Sequence, residues 1–215
     1  MKLYNYFRSG TSHRLRIALN LKGVNAQYIA VNLRTDEHLK EEFTALHPQG
    51  FVPALVLDDE TVLIQSPAII EWLEETITQP ALLPQDPIAR ARVRALAAIV
   101  GCDIHPINNR RVLEHIRREF SSDQAAINAW ARNWIRAGFQ AYEALLAKDT
   151  ARGAYSFGGK PSLADVYLVP QVESARRFSV DLDEFPHIQA VDAACARLEA
   201  FRNAEPSRQS DASAA

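Results

Sequence analysis

The sequence predicts an α/β domain of order β-α-β-α-β-β-α followed by an all-helical domain, and three observations carry that expectation. First, Lys2-Leu3-Tyr4-Asn5-Tyr6-Phe7 alternates and is rich in aromatics, as a short strand is. Leu15, Ala18, Leu19 and Leu21 then recur at helical spacing, with Gly23 where a C′ residue belongs. Second, the apolar runs 54–57 and 61–64 flank the acidic turn Asp58-Asp59-Glu60 and read as a hairpin. Third, beyond the prolines Pro80, Pro84 and Pro87 no β pattern is convincing and the apolar spacing is helical.

The remaining elements follow in order. Residues 28–32 read as a second strand and 37–46 as a charged helix, a β-α-β-α start that argues for neighbouring parallel strands. His47-Pro48-Gln49-Gly50-Phe51-Val52-Pro53 is a turn-rich loop before the hairpin. Gln65-Ser66-Pro67 opens the next helix, with Ser66 as N-cap and Pro67 at its first position. Residues 1–80 form the first expected domain and 78–87 a linker. Five helical segments (88–100, 113–120, 123–148, 162–178 and 185–201) place a second domain at 88–202. Residues 203–215 lack bulky apolar side chains and are expected to be a flexible tail.

Composition narrows the function. At 215 residues with 47% hydrophobic and 23% charged, the chain is ordinary for a soluble globular protein. A formal net charge of −2 provides no global field for nucleic acid or an acidic membrane. The strongest apolar run, near 95–102, is too short to span a bilayer, and the first residues lack the apolar run of a secretory signal. With only Cys102 and Cys195, far apart, a cytoplasmic, disulfide-free protein is expected. Cys102-Asp103-Ile104-His105 lacks further ligands at a recognisable spacing, so no metal site is expected. Cys102 reads as a buried helix residue, in a helix kinked by Pro106. The basic run Arg110, Arg111, His115, Arg117, Arg118 is interrupted by Glu114 and Glu119 without aromatics, which argues against a nucleic-acid face. Ser162-Leu163-Ala164-Asp165 reads as a capping arrangement with Asp165 at N3.

Chemistry points to Arg8-Ser9-Gly10-Thr11-Ser12. Thr11 or Ser12 is placed to cap the following helix, whose N-terminus carries unpaired N–H groups and about half a positive charge. Such an end suits an anion, a thiolate included. The Ser9 and Thr11 hydroxyls can donate to sulfur, and Arg8 adds a fixed charge. An ordinary capped turn has the same pattern. Val52-Pro53 is either a trans edge proline or a cis bond that turns the Val52 backbone toward a ligand. Gln65-Ser66 is either another plain cap or a carboxylate site.

The run Arg8-Ser9-Gly10-Thr11-Ser12-His13-Arg14-Leu15-Arg16-Ile17-Ala18-Leu19, with Val52-Pro53-Ala54-Leu55 and Gln65-Ser66, resembles the zeta class of glutathione transferases. His105-Pro106-Ile107-Asn108-Asn109 and Leu168-Val169-Pro170-Gln171-Val172-Glu173 extend the likeness over nearly the whole chain. The resemblance implies a thioredoxin-like N-terminal domain that binds glutathione, an all-α C-terminal domain, and a homodimer. It further implies that Val52 pairs its backbone with the glutathione cysteine and that Gln65 and Ser66 hold the γ-glutamyl end. His38 and Gln49 are candidates for the glycine end, and His105 and Asn109 for contacts from the helical domain. Ser9 would be the main donor to the thiolate, with Thr11 beside it, because the family's usual Ser-Ser-Cys is Ser9-Gly10-Thr11 here.

Two arginines depart from the pattern of the class's maleylacetoacetate isomerases, where the position of Arg110 is usually leucine and that of Arg176 usually acidic. They can be ordinary surface charges, Arg110 paired with Glu114 at i,i+4. With Arg8 they resemble a forked-donor set for a dicarboxylic diketo acid. The resemblance then implies a cis–trans isomerase that recycles glutathione and converts maleylpyruvate to fumarylpyruvate. The alternatives are the maleylacetoacetate reaction, or a conjugating transferase or dehalogenase.

Overall fold

Strand β1 (Lys2–Asn5) lies inside a four-stranded mixed sheet, between β2 (Gln27–Ala30), which runs parallel to it, and β3 (Ala54–Val56), which runs antiparallel. The hairpin partner β4 (Val62–Ile64) closes the far edge, giving the order β2-β1-β3-β4. In this computed structural model residues 1–150 and 152–212 are described. They fall into two units: Met1–Ala81 with the segment from Arg197 on, and Leu82–Ala196.

In the first unit, α1 (Gly10–Leu21) packs against α3 (Ser66–Thr76), and Leu3, Leu55, Leu15, Ile17, Ile69, Ile70 and Leu73 are buried in its core. This β-α-β followed by β-β-α around a mixed sheet is the thioredoxin-like arrangement. The charged segment 37–46 carries Leu39, Phe43 and Leu46 at helical spacing, but of these only Phe43 is buried and Leu39 is exposed. It forms only a 3-10 turn (Glu37–Leu39) and a one-turn helix, α2 (Glu41–Thr44), buried through Phe43. Two caps differ from expectation. Ser9, not Thr11 or Ser12, caps α1, with extended backbone and its Oγ accepting from the Ser12 N–H at 3.2 Å. Gln65 is the N-cap of α3, which makes Ser66 its first helical residue.

The last turn of α1 is tied down by a buried charge. The Lys22 side chain is 0% exposed, and its Nζ donates to Glu74 Oε2 at 2.6 Å, the Ile77 carbonyl at 2.6 Å and the Pro80 carbonyl at 2.8 Å. All three ammonium protons are thereby used, and a carbonyl exposed beyond the end of α3 is satisfied. Gly23 follows at φ +67°, the left-handed position where glycine costs least.

The second unit contains α4 (Pro87–Ala98), α5 (Arg110–Glu119), α6 (Gln124–Lys148), α7 (Leu163–Arg177) and α8 (Pro186–Cys195). Asp86 caps α4 and Asp123 caps α6, each accepting a backbone N–H at 2.8 Å. Val93, Ile104, Ile127, Ile135, Phe139, Val166, Leu168 and Ile188 are buried in its core. The Asp165 carboxylate accepts from the Ser162 N–H at 2.7 Å, the Ser162 hydroxyl at 2.9 Å and the Ser156 N–H at 2.8 Å, the expected capping role extended by one loop bond. Cys102 is exposed, not buried. It sits in a π-helical stretch (Ile99–Ile104), where the His105 N–H reaches five residues back to the Val100 carbonyl, so the helix widens ahead of Pro106. Leu82 and Leu83, within the expected linker, are buried in this unit.

The expected boundary at 202 and the flexible tail need correction. Helix α8 ends at Cys195, and α9 (Glu199–Arg202) packs on α1 with Phe201 buried. Ala204 is fully buried, Pro206–Arg208 form a 3-10 turn, and Asp211 takes bonds from Phe7 and Tyr28. Backbone carbonyls and one carboxylate hold this segment, not the bulky apolar side chains whose absence suggested a tail. Residues 213–215 lie outside the described residues. Among the described residues no helix is long and apolar enough to cross a membrane, and no cluster of candidate metal ligands occurs.

Truncating Lys22 to alanine removes the buried ammonium from the Glu74 carboxylate and from two carbonyls. A loss of about 3–5 kcal/mol in urea unfolding is expected. The pair replacement Lys22→Met with Glu74→Leu is expected to recover most of it, since no buried charge is then left alone.

Candidate active site

The connection between β1 and α1 is held by side chains from elsewhere. The Tyr6 N–H donates to Ser12 Oγ at 3.4 Å, and the Tyr6 carbonyl accepts from the Ser9 N–H at 3.1 Å. The Phe7 N–H donates to Asp211 Oδ2 at 3.1 Å, and the Phe7 carbonyl accepts from Arg16 at 3.0 Å. Arg16 is buried and also reaches Asn5 Oδ1 at 3.0 Å, the Tyr6 carbonyl at 3.5 Å and the Ala204 carbonyl at 3.0 Å. Burial lowers its pKa to about 10, opposed by the nearby Tyr28 and Asp211, so it is still charged at neutral pH. His13, on the next turn, is driven down to about 3 by burial and by Arg16, and is neutral.

At the end of this turn three polar groups form a chain. Ser9 Oγ and Thr11 Oγ1 are 2.8 Å apart, and Thr11 Oγ1 donates to the Val52 carbonyl at 2.8 Å. A hydroxyl has one proton. Since that of Thr11 is on Val52, the bond between the hydroxyls is donated by Ser9. The Ser9 oxygen meanwhile accepts from the Ser12 N–H. Ser9 can swing its proton to a new acceptor by rotation about Cβ–Oγ alone. Thr11 cannot do so without releasing Val52. Arg8 is exposed at the same turn.

The Val52-Pro53 bond, left open by the sequence, is cis. Gln65 has φ +67° and ψ 107°, an unusual backbone for a residue with a side chain, and its Nε2 donates to Gln49 Oε1 at 2.6 Å. Ser66 is buried at the start of α3, and among the described residues nothing hydrogen-bonds its Oγ. A buried hydroxyl without a partner, beside the free N–H groups of a first helical turn, fits a carboxylate. His38 lies half-buried in its 3-10 turn. Its carbonyl approaches Gly50 (φ +62°) so closely that a Cβ there would stand 2.8 Å from it. The first unit therefore links Ser9, Thr11 and Val52 in one chain, and Gln49 with Gln65 in another.

In the second unit His105, Asn109 and Arg110 lie next to one another at the start of α5, and Arg176 lies on α7. Asn109 caps that helix, its Oδ1 accepting from the Val112 N–H at 3.1 Å, which leaves its amide protons for another partner. His105 ends the π-helical stretch and its carbonyl accepts from the Asn108 N–H at 3.1 Å. Arg110 is the first residue of α5 and is exposed. Glu114 bonds Arg117 at 2.6 Å. Arg176, near the end of α7, is half exposed and is paired with Asp192 of α8 and, at 3.9 Å, with Glu173. Both of its terminal nitrogens thus face carboxylates, Nη1 toward Glu173 and Nη2 toward Asp192.

Arg16, Asn5 and Asp211 were not among the candidates. Arg16 was visible in principle, as a charge inside the buried run Leu15-Arg16-Ile17-Ala18-Leu19. Asp211 carries no local signal, since its partners are 204 and 183 residues away.

Comparison with known proteins matches these units to a family. The model of the glutathione S-transferase N-terminal domain matches residues 8–76, and that of the C-terminal domain matches 124–202. The maleylpyruvate isomerase of Ralstonia sp is 69% identical, over 98% of this chain and 99% of that one. A solved holo structure of maleylpyruvate isomerase, described as a bacterial glutathione S-transferase in the zeta class, superposes with a TM-score of 0.96 at 69% identity. It covers 98% of this chain and 99% of that one. The maleylacetoacetate isomerase of Methylobacterium extorquens AM1, solved with bound malonate and glutathione, gives a TM-score of 0.94 at 35% identity. The coverage is 97% of this chain and 98% of that one. The chain belongs to the glutathione S-transferase family, in its zeta class.

Proposed function

We propose that this protein is a glutathione-dependent cis–trans isomerase that converts maleylpyruvate to fumarylpyruvate. The observation that carries the reading is the 69% identity, over nearly the full length of both chains, to the Ralstonia maleylpyruvate isomerase. Glutathione is the cofactor, as in the related structure solved with it, and the residues present fit it: Ser66 keeps a buried, unpartnered hydroxyl for the γ-glutamyl carboxylate. Gln65 and Val52 hold the peptide, and Gln49 and His38 stand toward its glycine end. His105 and Asn109 are further candidates to contact it. When bound, glutathione supplies a thiolate that adds to the cis double bond and leaves again after rotation.

The chain's own work is to keep that sulfur ionised and to hold a dicarboxylic acid. Ser9 turns its proton from Thr11 to the sulfur, and the N-terminus of α1 adds its positive end. Thr11 stays on Val52. Arg8, Arg110 and Arg176 take the carboxylates and the charge that builds on the carbonyl oxygens. For Arg176, the Asp192 pair orients the fork in advance. Malonate in the Methylobacterium relative supports a dicarboxylate preference. Free thiols at Cys102 and Cys195 suit the cytoplasm, and the protein works as a homodimer, which light scattering would read as twice the 24.0 kDa chain.

Mixing the protein with maleylpyruvate and a catalytic amount of glutathione tests the reading. Turnover without loss of free thiol is expected, while stoichiometric thiol loss would make the protein a conjugating transferase. In the same assay, Arg110→Ala and Arg176→Ala should each lower kcat/KM about 10- to 150-fold, one charge-assisted contact of about 1.5–3 kcal/mol, and spare glutathione affinity. Lysine should rescue only in part, because it cannot reproduce a planar fork. Wild-type kcat/KM in both alanine variants, or faster turnover of maleylacetoacetate, would move the substrate assignment to the longer diketo acid.

The order of the hydroxyls gives a further expectation. Ultraviolet titration of bound glutathione should show the thiol pKa rising by roughly one to two units in Ser9→Ala and by less in Thr11→Val. The reverse order would make Thr11 the donor.

A further inference from the structure

The segment 203–212 is bound to the rest of the first unit at three places, and all three bear on the turn that carries Ser9. The Ala204 carbonyl accepts from Arg16 Nε at 3.0 Å. The Asp211 carboxylate accepts from the Phe7 N–H at 3.1 Å through one oxygen and from the Tyr28 hydroxyl through the other. Ala212 packs against the buried cluster of Tyr6, Phe7, Val31, Phe43 and Val52. The Phe7 peptide is therefore gripped on both sides, its N–H by Asp211 and its carbonyl by Arg16. Arg16 in turn depends on the same segment, since Ala204 takes its Nε and Asp211 is a nearby negative charge for its buried guanidinium.

We propose that Asp211 is a positioning residue of the active site, through which the C-terminal segment fixes the Phe7 peptide and, two residues on, the Ser9 hydroxyl. This rests on the role assigned to Ser9 above. Phe7 is buried, so without Asp211 its N–H loses its acceptor, and the turn shifts to find another. Ser9 has a single proton to aim. It is tethered to the turn by its own N–H on Tyr6 and to α1 by its oxygen on Ser12, so a displaced Phe7 peptide misdirects it. Tyr28 holds the second carboxylate oxygen and thereby sets the angle of the first. Asn20, whose Nδ2 donates to the Ala200 carbonyl at 2.8 Å, anchors the same stretch of chain away from the turn and is the natural control.

The experiment compares full-length Asp211→Ala, Asp211→Asn, Tyr28→Phe and Asn20→Ala with wild type. In the ligand-free proteins, hydrogen–deuterium exchange is read on a peptide covering residues 6–12. With glutathione, the bound-thiol pKa, kcat and KM are read. Asp211→Ala should speed exchange in that peptide, raise the thiol pKa by about half to one unit and lower kcat about 3- to 10-fold, with KM moving less than about twofold. Asp211→Asn should recover most of this, because it keeps an oxygen for Phe7 and a polar partner for Tyr28. Asn20→Ala should lower Tm but leave the exchange and the thiol pKa as in wild type.

Wild-type exchange and thiol pKa in Asp211→Ala would overturn the proposal, as would an equal pKa rise in Asn20→Ala, which would mean general loosening. If wild type itself does not ionise glutathione, the proposed function fails and exchange alone judges the clamp. If Asp211→Ala does not fold, Tyr28→Phe decides: faster exchange over residues 6–12 supports the clamp and unchanged exchange refutes it.

Discussion

One buried guanidinium organises the first unit. Arg16 lies on the covered face of α1 and spends its donors on Asn5, on the carbonyls of Tyr6 and Phe7, and on Ala204. A charge so placed costs several kcal/mol unless every donor is matched, and here strand end, turn and C-terminal segment each supply an acceptor. Remove any one and the others are left facing an incompletely solvated cation. The arrangement makes the β1–α1 connection rigid without regular structure. That rigidity is what a hydroxyl needs if it is to meet a sulfur at one defined point.

The same economy of polar groups governs the two helix starts. At α1 the hydroxyls of Ser9 and Thr11 and the Val52 carbonyl form a directional chain, so the proton inventory alone separates a movable donor from a fixed one. At α3 the reverse holds. Among the described residues the Ser66 hydroxyl has no hydrogen-bond partner, while its neighbour Gln65 is held in a left-handed backbone and bonded to Gln49. A satisfied network next to an unsatisfied buried group is the pattern of a site awaiting a polar ligand. Lys22 shows the contrasting case, a buried charge whose protons are all used and which serves stability alone.

Much of this was legible in the sequence where the signal is local. Alternation and turn chemistry marked β1 and the hairpin, and helical spacing marked α4, α6 and α7, the last with its Ser162–Asp165 cap. The hydroxyl-rich turn was visible as chemistry, but its cap was read as Thr11 or Ser12, whereas the backbone places Ser9 there. The segment 37–46 read as one charged helix, but only Phe43 of its apolar residues is buried, and the segment forms just two short turns. The burial of Arg16, the Arg176–Asp192 pair between two helices and the docking of residues 203–212 depend on partners far along the chain. Composition reads such a segment as a tail because it counts apolar side chains and is blind to carbonyls.

The discontinuity of the first unit bears on how the molecule is made. Its sheet, α1 and α3 are complete within the first 81 residues, yet Arg16 meets Ala204 across 188 residues and Phe7 meets Asp211 across 204. During synthesis at about 5–20 residues per second, the nascent thioredoxin-like unit waits on the order of ten seconds for the segment that completes its turn. Throughout that interval Arg16 lacks two of its neighbours and must draw on water instead. The helical unit is synthesised meanwhile, so the turn that carries Ser9 is the last part of the first unit to set.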